Sequence, residues 1–210
     1  MGRIAWFGVK VNHILPIWSP DGKALFFNHF QESDWGLARA EPGGGGFRVF
    51  DKLAARPGAY GWFPDGKALL CHNLESFFVL TFDETGAATR RDVPKTGDLT
   101  GLSVPSRIAV APDGKRALFE RLIDADTGPD DEGPPSAVFL LEIQSGQTKR
   151  LTPKGFNAAY PSWLPDGKEF LFSAFDVKTS KSSIYRALAD GSVAPALSLK
   201  GADCPTVARQ

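Results

Sequence analysis

The chain alternates short apolar runs with polar turn sequences, and four of these turns share the sequence Pro-Asp-Gly-Lys. Proline favours the second position of a type I turn, aspartate tolerates the third, and glycine accepts the positive φ that follows. Each turn therefore predicts a β-hairpin with a glycine bulge. The turn aspartates are spaced by 44, 48 and 53 residues, which indicates one supersecondary unit copied along the chain. They are Asp21, Asp65, Asp113 and Asp166.

Each unit contains four predicted strands. The run after each turn ends in three consecutive apolar positions, as in Leu25–Phe27. Strict alternation would indicate one solvated face, so continuous apolarity predicts sheets that are covered on both faces. Four antiparallel strands in roughly 45 residues are typical of a propeller blade. We predict an all-β fold, a β-propeller of four-stranded antiparallel blades in a single domain, with blades at roughly 10–50, 54–93, 103–152 and 155–199.

The two ends of the chain predict further strands that belong to none of the four blades. They cover residues 1–9 and 200–210. Two interpretations remain open at this point. The end segments could pair as a split fifth blade that closes the ring, or the chain could be an open segment of a larger propeller. The second interpretation leaves unpaired strand edges, which favour self-association.

Composition narrows the classes of partner. Lys plus Arg and Asp plus Glu both number 24, so no basic excess points to nucleic acid. No apolar stretch approaches the ~18 residues of a membrane helix, and the first residues lack a secretory signal. The sequence as written predicts a soluble, cytoplasmic chain without membrane insertion. Cys71 and Cys204 belong to different units, and a disulfide between them is the minor interpretation.

The repeats resemble those of the TolB-type β-propellers, a WD-repeat-like family. The resemblance is carried by Trp-Ser-Pro-Asp-Gly-Lys-Ala-Leu-Phe-Phe at 18–27 and by the related segment 157–172, and it extends over nearly all of the chain. It implies a bacterial scaffold that binds a protein or peptide partner, and related propellers are often periplasmic. It also implies an alternative, because similar propellers accompany prolyl-oligopeptidase-like and tricorn-like peptidases, and others belong to metal-dependent polysaccharide lyases.

Catalytic signals are weak. The turn aspartates are interpreted as turn formers, and the sequence contains no Gly-x-Ser-x-Gly nucleophile motif. His29 and His72 are assigned to like positions in two units, and the matching positions of the other two units carry Arg121 and Ala174. The sequence therefore predicts no catalytic residue, no cofactor and no histidine metal site, and a non-catalytic module is favoured over an enzyme.

An acidic loop in the third unit is the sharpest local feature. Calcium prefers several oxygen ligands on a flexible loop, so the loop is a weak calcium candidate. It lacks the spacing of an EF-hand, and a solvated insertion is the simpler interpretation. The candidate ligands are Asp124, Asp126, Asp130 and Glu132.

The approaches to the first strand of each unit are the best candidates for a contact surface, because these approaches line the rim of the central channel in a propeller. Tyr60 and Tyr160 are placed at the same point of their units, as is His13. The tryptophans before the turns, Trp18, Trp62 and Trp163, are predicted to lie in the blade core. The predicted binding residues are Asn12, His13, Tyr60, Arg107, Asn157 and Tyr160.

Overall fold

A computed structural model describes residues 12–31, 34–50, 58–95, 97–103, 106–128 and 133–207 of the chain. Sixteen β-strands and one 3-10 helix, Asp124–Asp126, account for the regular structure of these residues. The strands are β1 Asn12–Trp18, β2 Leu25–Gln31, β3 Asp34–Ala40, β4 Arg48–Val49, β5 Ala59–Trp62, β6 Ala68–His72, β7 Phe77–Phe82, β8 Ala88–Asp92, β9 Ala109–Val110, β10 Arg116–Leu122, β11 Ser136–Glu142, β12 Thr148–Arg150, β13 Asn157–Trp163, β14 Glu169–Asp176, β15 Lys181–Leu188 and β16 Ala196–Lys200.

The strands form four separate antiparallel sheets, and within each sheet the spatial order follows the chain: β1 to β4, β5 to β8, β9 to β12 and β13 to β16. Each sheet is one propeller blade, and its first strand is a sheet edge. The predicted fold class, an all-β propeller of four-stranded antiparallel blades, is confirmed.

The Pro-Asp-Gly-Lys turns have the predicted structure. In the first, Gly22 N–H donates to the Ser19 carbonyl at 2.9 Å, which closes a type I turn, and Gly22 has a φ of +70°. The aspartate is used inside the turn: the backbone N–H of Lys168 donates to Asp166 Oδ1 at 2.9 Å and, as the largest effect, lowers the pKa of that carboxyl. The turn-forming interpretation of the four aspartates is confirmed.

Three apolar clusters join successive blades. The first contains Phe26 of β2 with Leu69 of β6, the second contains Leu70 of β6 with Phe119 of β10, and the third joins Leu118 with Phe172. Neighbouring residues of one strand, such as Leu69 and Leu70, therefore contact opposite neighbours. This explains the continuous apolar runs, because the second strand of an inner blade is buried on both faces. Among the described residues, no apolar cluster joins the first blade to the fourth.

The tryptophans before the second and fourth turns pack against the preceding blade. Trp62 meets Phe26 of the first blade edge to face at 5.0 Å, and Trp163 Nε1 donates to the Ala109 carbonyl of the third blade at 2.8 Å. Trp18 is 54% exposed, whereas Trp163 is 6% exposed. The predicted core placement is correct for Trp62 and Trp163 and wrong for Trp18, because no described blade precedes the first.

The predicted terminal strands have different outcomes. Residues 1–9 and 208–210 lie outside the described residues. The fourth blade extends to Lys200, and residues 201–207 run on without joining a sheet, although Pro205 is buried.

No helix in the described part of the chain has the length and apolarity needed to cross a membrane.

Candidate functional site

The two ends of each blade differ in the turns and loops that lie there. Because the strands are antiparallel and follow chain order, the turns after first and third strands lie at one end of each blade. The second-to-third-strand loops and the blade-to-blade connections lie at the other end. We call these the turn end and the connection end. Asn12 and His13 begin β1, Arg107 precedes β9 and Asn157 begins β13, so these predicted binding residues lie at the connection end.

A buried polar residue occurs at the same place in every blade, seven residues after the turn aspartate. Two positions closer to the turn lie Phe26, Leu70 and Leu118, which face the following blade. Side chains two residues apart in a strand share a face, so the polar residues of the first three blades face the following blade as well, and that of the fourth blade accepts a hydrogen bond from the segment that follows it. They are Asn28, His72, Glu120 and Ser173, with exposures of 1%, 0%, 5% and 3%. Aligning the units on the turn would have found this position, which the sequence analysis missed.

Glu120 joins the third blade to the fourth. Its Oε1 accepts the backbone N–H of Arg107 at 3.1 Å, and its Oε2 accepts the backbone N–H of Tyr160 at 2.6 Å. Burial raises the pKa of Glu120 to about 7, although both N–H donors and the Arg107 charge act in the opposite direction. One carboxyl group therefore positions two backbone segments, and it titrates close to neutral pH.

Arg107 and Tyr160 form a partly exposed surface next to Glu120. The Arg107 guanidinium lies 5.4 Å from the centre of the Tyr160 ring, in cation–π contact, and Nη1 donates to the Pro205 carbonyl at 3.4 Å. Both side chains are half-buried. The structure therefore brings together two of the predicted binding residues and adds Glu120 and Pro205, which sequence reasoning did not connect with them.

A strained backbone presents the Tyr160 ring. Tyr160 has a φ of +54°, in a bulge where the pairing of β13 with β14 skips between Ala159 and Ser162. Leu15 has a φ of +56° in the corresponding bulge of β1, and both residues precede a proline. Positive φ at a residue other than glycine costs of the order of 1–2 kcal/mol. Bulges re-aim side chains, so Tyr160 is turned out of the regular alternation.

His72 connects the second blade to the segment that enters the third. The Leu74 N–H donates to His72 Nδ1 at 3.2 Å, so Nδ1 is unprotonated and Nε2 carries the hydrogen. Nε2 lies 3.0 Å from Ser106 Oγ. Burial lowers the pKa of His72 to about 4, so the ring is neutral at physiological pH. A neutral, completely buried imidazole has a structural role in this position.

The last described segment continues the connection end past the fourth blade. The Cys204 N–H donates to Ser173 Oγ at 2.8 Å, and the Val207 N–H donates to Ser162 Oγ at 3.2 Å. Cys204 is exposed, and partial desolvation of its thiol, followed by the nearby Asp203 carboxylate, raises the pKa of the thiol. A raised pKa keeps the group as a thiol, which is a poor nucleophile. Cys71 is free and buried, so the minor disulfide interpretation is wrong.

Tyr60 and Asn157 lie close to the rim but are already engaged. Tyr60 is 5% exposed in the cluster between the first two blades, and its hydroxyl donates to the Leu15 carbonyl. It is not at the position of Tyr160, since it precedes its tryptophan by two residues and Tyr160 precedes Trp163 by three. Asn157 Oδ1 accepts the Ser136 N–H at 3.0 Å.

The histidines differ from their predicted alignment. His29 is eight residues after its turn aspartate and His72 is seven after its own, so the two rings lie on opposite faces of their sheets. His29 lies opposite His13 across the strand pair, with their Nδ1 atoms 3.3 Å apart. Burial and then the His29 charge lower the pKa of His13. Within the described ranges, no three His, Cys, Asp or Glu side chains form a group that could hold a metal ion.

Only part of the acidic loop is described. Asp124 and Asp126 form the 3-10 helix, and the Asp126 carboxylate pairs with Arg150 Nη2 at 2.6 Å. Asp130 and Glu132 lie outside the described residues. The calcium site stays a prediction, and one of its candidate ligands is held by an arginine.

Comparison with known proteins identifies the fold. TolB from Acinetobacter baumannii superposes with a TM-score of 0.62 and 19% identity, covering 91% of this chain and 45% of that chain. A protein described as TolB from Agrobacterium tumefaciens has a TM-score of 0.60 and 24% identity, covering 88% and 61%. The fold is that of a TolB-type β-propeller.

The chain also has a similar curated relative. This relative carries the name uncharacterized peptidase YuxL, from Bacillus subtilis, and is 26% identical over 186 residues. The match covers 87% of this chain and 25% of YuxL. The chain therefore spans a quarter of that relative and less than two thirds of either TolB structure. No protein-family model matches it.

Proposed function

We propose that this TolB-type propeller is a non-catalytic module that binds a protein or peptide at its connection end, through Arg107 and Tyr160. The observation that carries the proposal is the stacked pair itself. Both backbone segments are fixed by Glu120, so the two side chains are pre-organised before any partner arrives. Pre-organisation reduces the entropy lost on binding.

The residue types support the same function. Arginine and tyrosine are enriched among the residues that dominate binding energy at protein interfaces. Each combines a large apolar surface with hydrogen-bonding groups, and each is half-buried here, so one side of the pair is supported while the other side faces solvent.

Selection from a library of random 12-residue peptides displayed on phage tests the proposal. Enriched peptides should bind the wild-type chain and lose about tenfold in affinity, ~1.4 kcal/mol, against Arg107→Ala and against Tyr160→Ala. Lys115→Ala is the matched control, since Lys115 is exposed at the turn end of the third blade. Peptides that bind all three variants equally, or a selection without enrichment, would refute the assignment to this pair.

A second candidate function follows from one comparison. The match to a quarter of a protein named as a peptidase supports a role as the propeller part of a larger peptidase. In that case the peptides bound at the rim would be substrates, and a catalytic domain outside these 210 residues would cleave them. Incubation of the selected peptides with the purified chain, followed by mass spectrometry, should show binding without cleavage under both functions, and cleavage would contradict the non-catalytic assignment. A catalytic domain encoded in the same reading frame as these residues would favour the peptidase role over the simple binding module.

A further inference from the structure

The fourth blade has an apolar face that no described blade covers. The corresponding side chains of the first blade face the second blade and are 4%, 0% and 4% exposed: Phe26, Leu37 and Phe50. Strand pairing identifies their counterparts in the fourth blade as Leu171, which is half-buried, Ile184, 9% exposed, and Leu199, 55% exposed. We call these three residues the outer face of the fourth blade. It repeats a blade-to-blade interface that is closed elsewhere in the molecule.

The segment after the fourth blade is placed like the first strand of a further blade. Residues 201–207 read Gly-Ala-Asp-Cys-Pro-Thr-Val, which follows the pattern Asn-Ala-Ala-Tyr-Pro-Ser-Trp of β13. Cys204 has a φ of +51° and Tyr160 a φ of +54°, and a buried proline follows each of them. The Cys204 N–H donates to Ser173 Oγ at 2.8 Å. In the same way the Tyr160 N–H donates to Glu120, which has the place of Ser173 in its own blade, so the chain begins a fifth blade against the fourth.

The first strand of this fifth blade has an open edge. In the fourth blade, β13 pairs with β14 through Ala159, Ser162 and Trp163, among others. The residues at the same places of the final segment pair with no strand in the described part of the chain: Asp203, Thr206 and Val207. An unpaired edge accepts the backbone of another strand, and an apolar face beside it accepts the side chains of that strand.

The closed interfaces show which side chains cover such a face. In each of them, two side chains at alternate positions of the next blade's second strand pack on it: Leu69 and Cys71, Ala117 and Phe119, or Phe170 and Phe172. Alternate positions lie on one side of a strand. The outer face therefore fits a strand with two apolar side chains that are two residues apart.

A second copy of the chain does not supply this strand. The equivalent pair in its first blade is Leu25 and Phe27, and Phe27 is only 6% exposed, in a cluster with Ala38 and Ala40 of the same blade. The first strand of that blade would also have to occupy the place that residues 201–207 already take. A single incoming strand meets neither obstacle.

We infer that the outer face and residues 203–207 bind a β-strand of a partner protein, which takes the place of the second strand of the fifth blade. The partner backbone pairs with residues 203–207, and its two apolar side chains pack on the outer face. Next to Leu171, Arg186 Nε donates to Glu169 Oε1 at 2.9 Å, so the cation on this face is already paired. Binding therefore depends on the apolar pattern of the partner strand.

Fluorescence anisotropy with labelled peptides and the whole chain tests the inference. The probe is Lys-Glu-Phe-Thr-Phe-Ser-Lys, and the control Lys-Glu-Phe-Phe-Thr-Ser-Lys has the same composition with its two phenylalanines on opposite sides of a strand. The probe should bind more tightly than the control by about tenfold or more. Equal affinities, or a probe that does not bind, would overturn the inference.

Methylated peptides test whether the two backbones pair. Alternate residues of a strand direct their N–H groups to the same neighbour. Methylation of both phenylalanine nitrogens of the probe blocks one edge, and methylation of the threonine and serine nitrogens blocks the other. One methylated probe should lose binding and the other should keep it. Equal affinities of the two would contradict strand pairing and overturn the inference.

Two leucines of β16 provide matched variants. Leu197 and Leu199 are both 55% exposed, but Leu199 pairs with Ile184 on the outer face, whereas Leu197 pairs with Tyr185, whose ring packs towards the third blade. Leu199→Thr should weaken the probe about fivefold, and Leu197→Thr should leave its affinity unchanged. Equal losses in the two variants would place the peptide elsewhere and overturn the assignment.

Sedimentation velocity of the wild type and the same two variants tests for a second copy at this site. All three should sediment alike at each protein concentration, since the outer face is kept for a partner strand. A wild-type dimer that is lost in Leu199→Thr and kept in Leu197→Thr would show that a second copy covers the outer face, and would overturn the partner-strand assignment.

Discussion

Two tryptophans at the same position of the repeat should differ greatly in their contribution to stability. Trp163 is 6% exposed, packs in the cluster between the third and fourth blades and donates a hydrogen bond to Ala109. Trp18 is 54% exposed. Both stand two residues before the proline of a Pro-Asp-Gly-Lys turn, so replacing each by alanine changes the same chemistry in two environments.

The magnitude follows from the burial. A buried aromatic side chain removes about 150–250 Å² from water, which at ~25 cal/mol/Å² corresponds to at most ~4–6 kcal/mol. Measured substitutions of this kind cost about 3–5 kcal/mol, and Ala109 also loses its donor. We expect Trp163→Ala to reduce the free energy of unfolding by about 4 kcal/mol, whereas Trp18→Ala should cost about 1 kcal/mol or less.

Urea denaturation followed by circular dichroism measures both values, provided that the variants keep the m-value of the wild type. Thermal melting gives a second reading, since 1 kcal/mol shifts the melting temperature by roughly 2–4 °C for a chain of this size. A difference between the variants of less than ~1 kcal/mol would refute the reasoning. In that case something other than the described blades would cover Trp18. Sedimentation velocity of the wild type and of Trp18→Ala would show whether that is another copy of the chain.

Further predictions concern the titration of Glu120, one backbone contact and the acidic loop. Because the Glu120 pKa is higher in the folded chain than its ordinary 4.5, the folded state binds more protons, and roughly 3 kcal/mol of stability should be lost as the pH rises from 4.5 through about 7. Urea midpoints at pH 5 and pH 8 test this, and a Glu120→Gln variant with the wild-type difference would contradict it. Gly146→Ala should destabilise by more than ~2 kcal/mol, because a Cβ would lie 1.6 Å from the Pro94 carbonyl oxygen, and Gly44→Ala is the control with a similarly positive φ and open space around it. Equal losses in the two glycine variants would show that backbone strain alone matters. If the acidic loop binds calcium, EDTA should lower the melting temperature of calcium-loaded protein, and an unchanged melting temperature would end that prediction.

The fold was predictable because its information is local. A Pro-Asp-Gly-Lys turn needs only its own four residues and the first residues of the two strands, as the Ser19 to Gly22 hydrogen bond shows. The continuous apolar runs were also informative, since both faces of inner strands are covered. The exception is Trp18, which has the core sequence pattern but no described blade behind it. Burial of a repeat residue depends on the presence of a neighbour, which its own repeat does not encode.

The candidate sites depended on contacts that the chain makes over long separations. Arg107 and Tyr160 were predicted as rim residues, but their cation–π contact and the Glu120 carboxyl that accepts a backbone N–H from each of them join residues of two blades. Short-range patterns of turn residues and apolar side chains thus determined the blades by themselves. The contacts between blades, which bring distant residues within a few ångströms, were decided only by the tertiary structure.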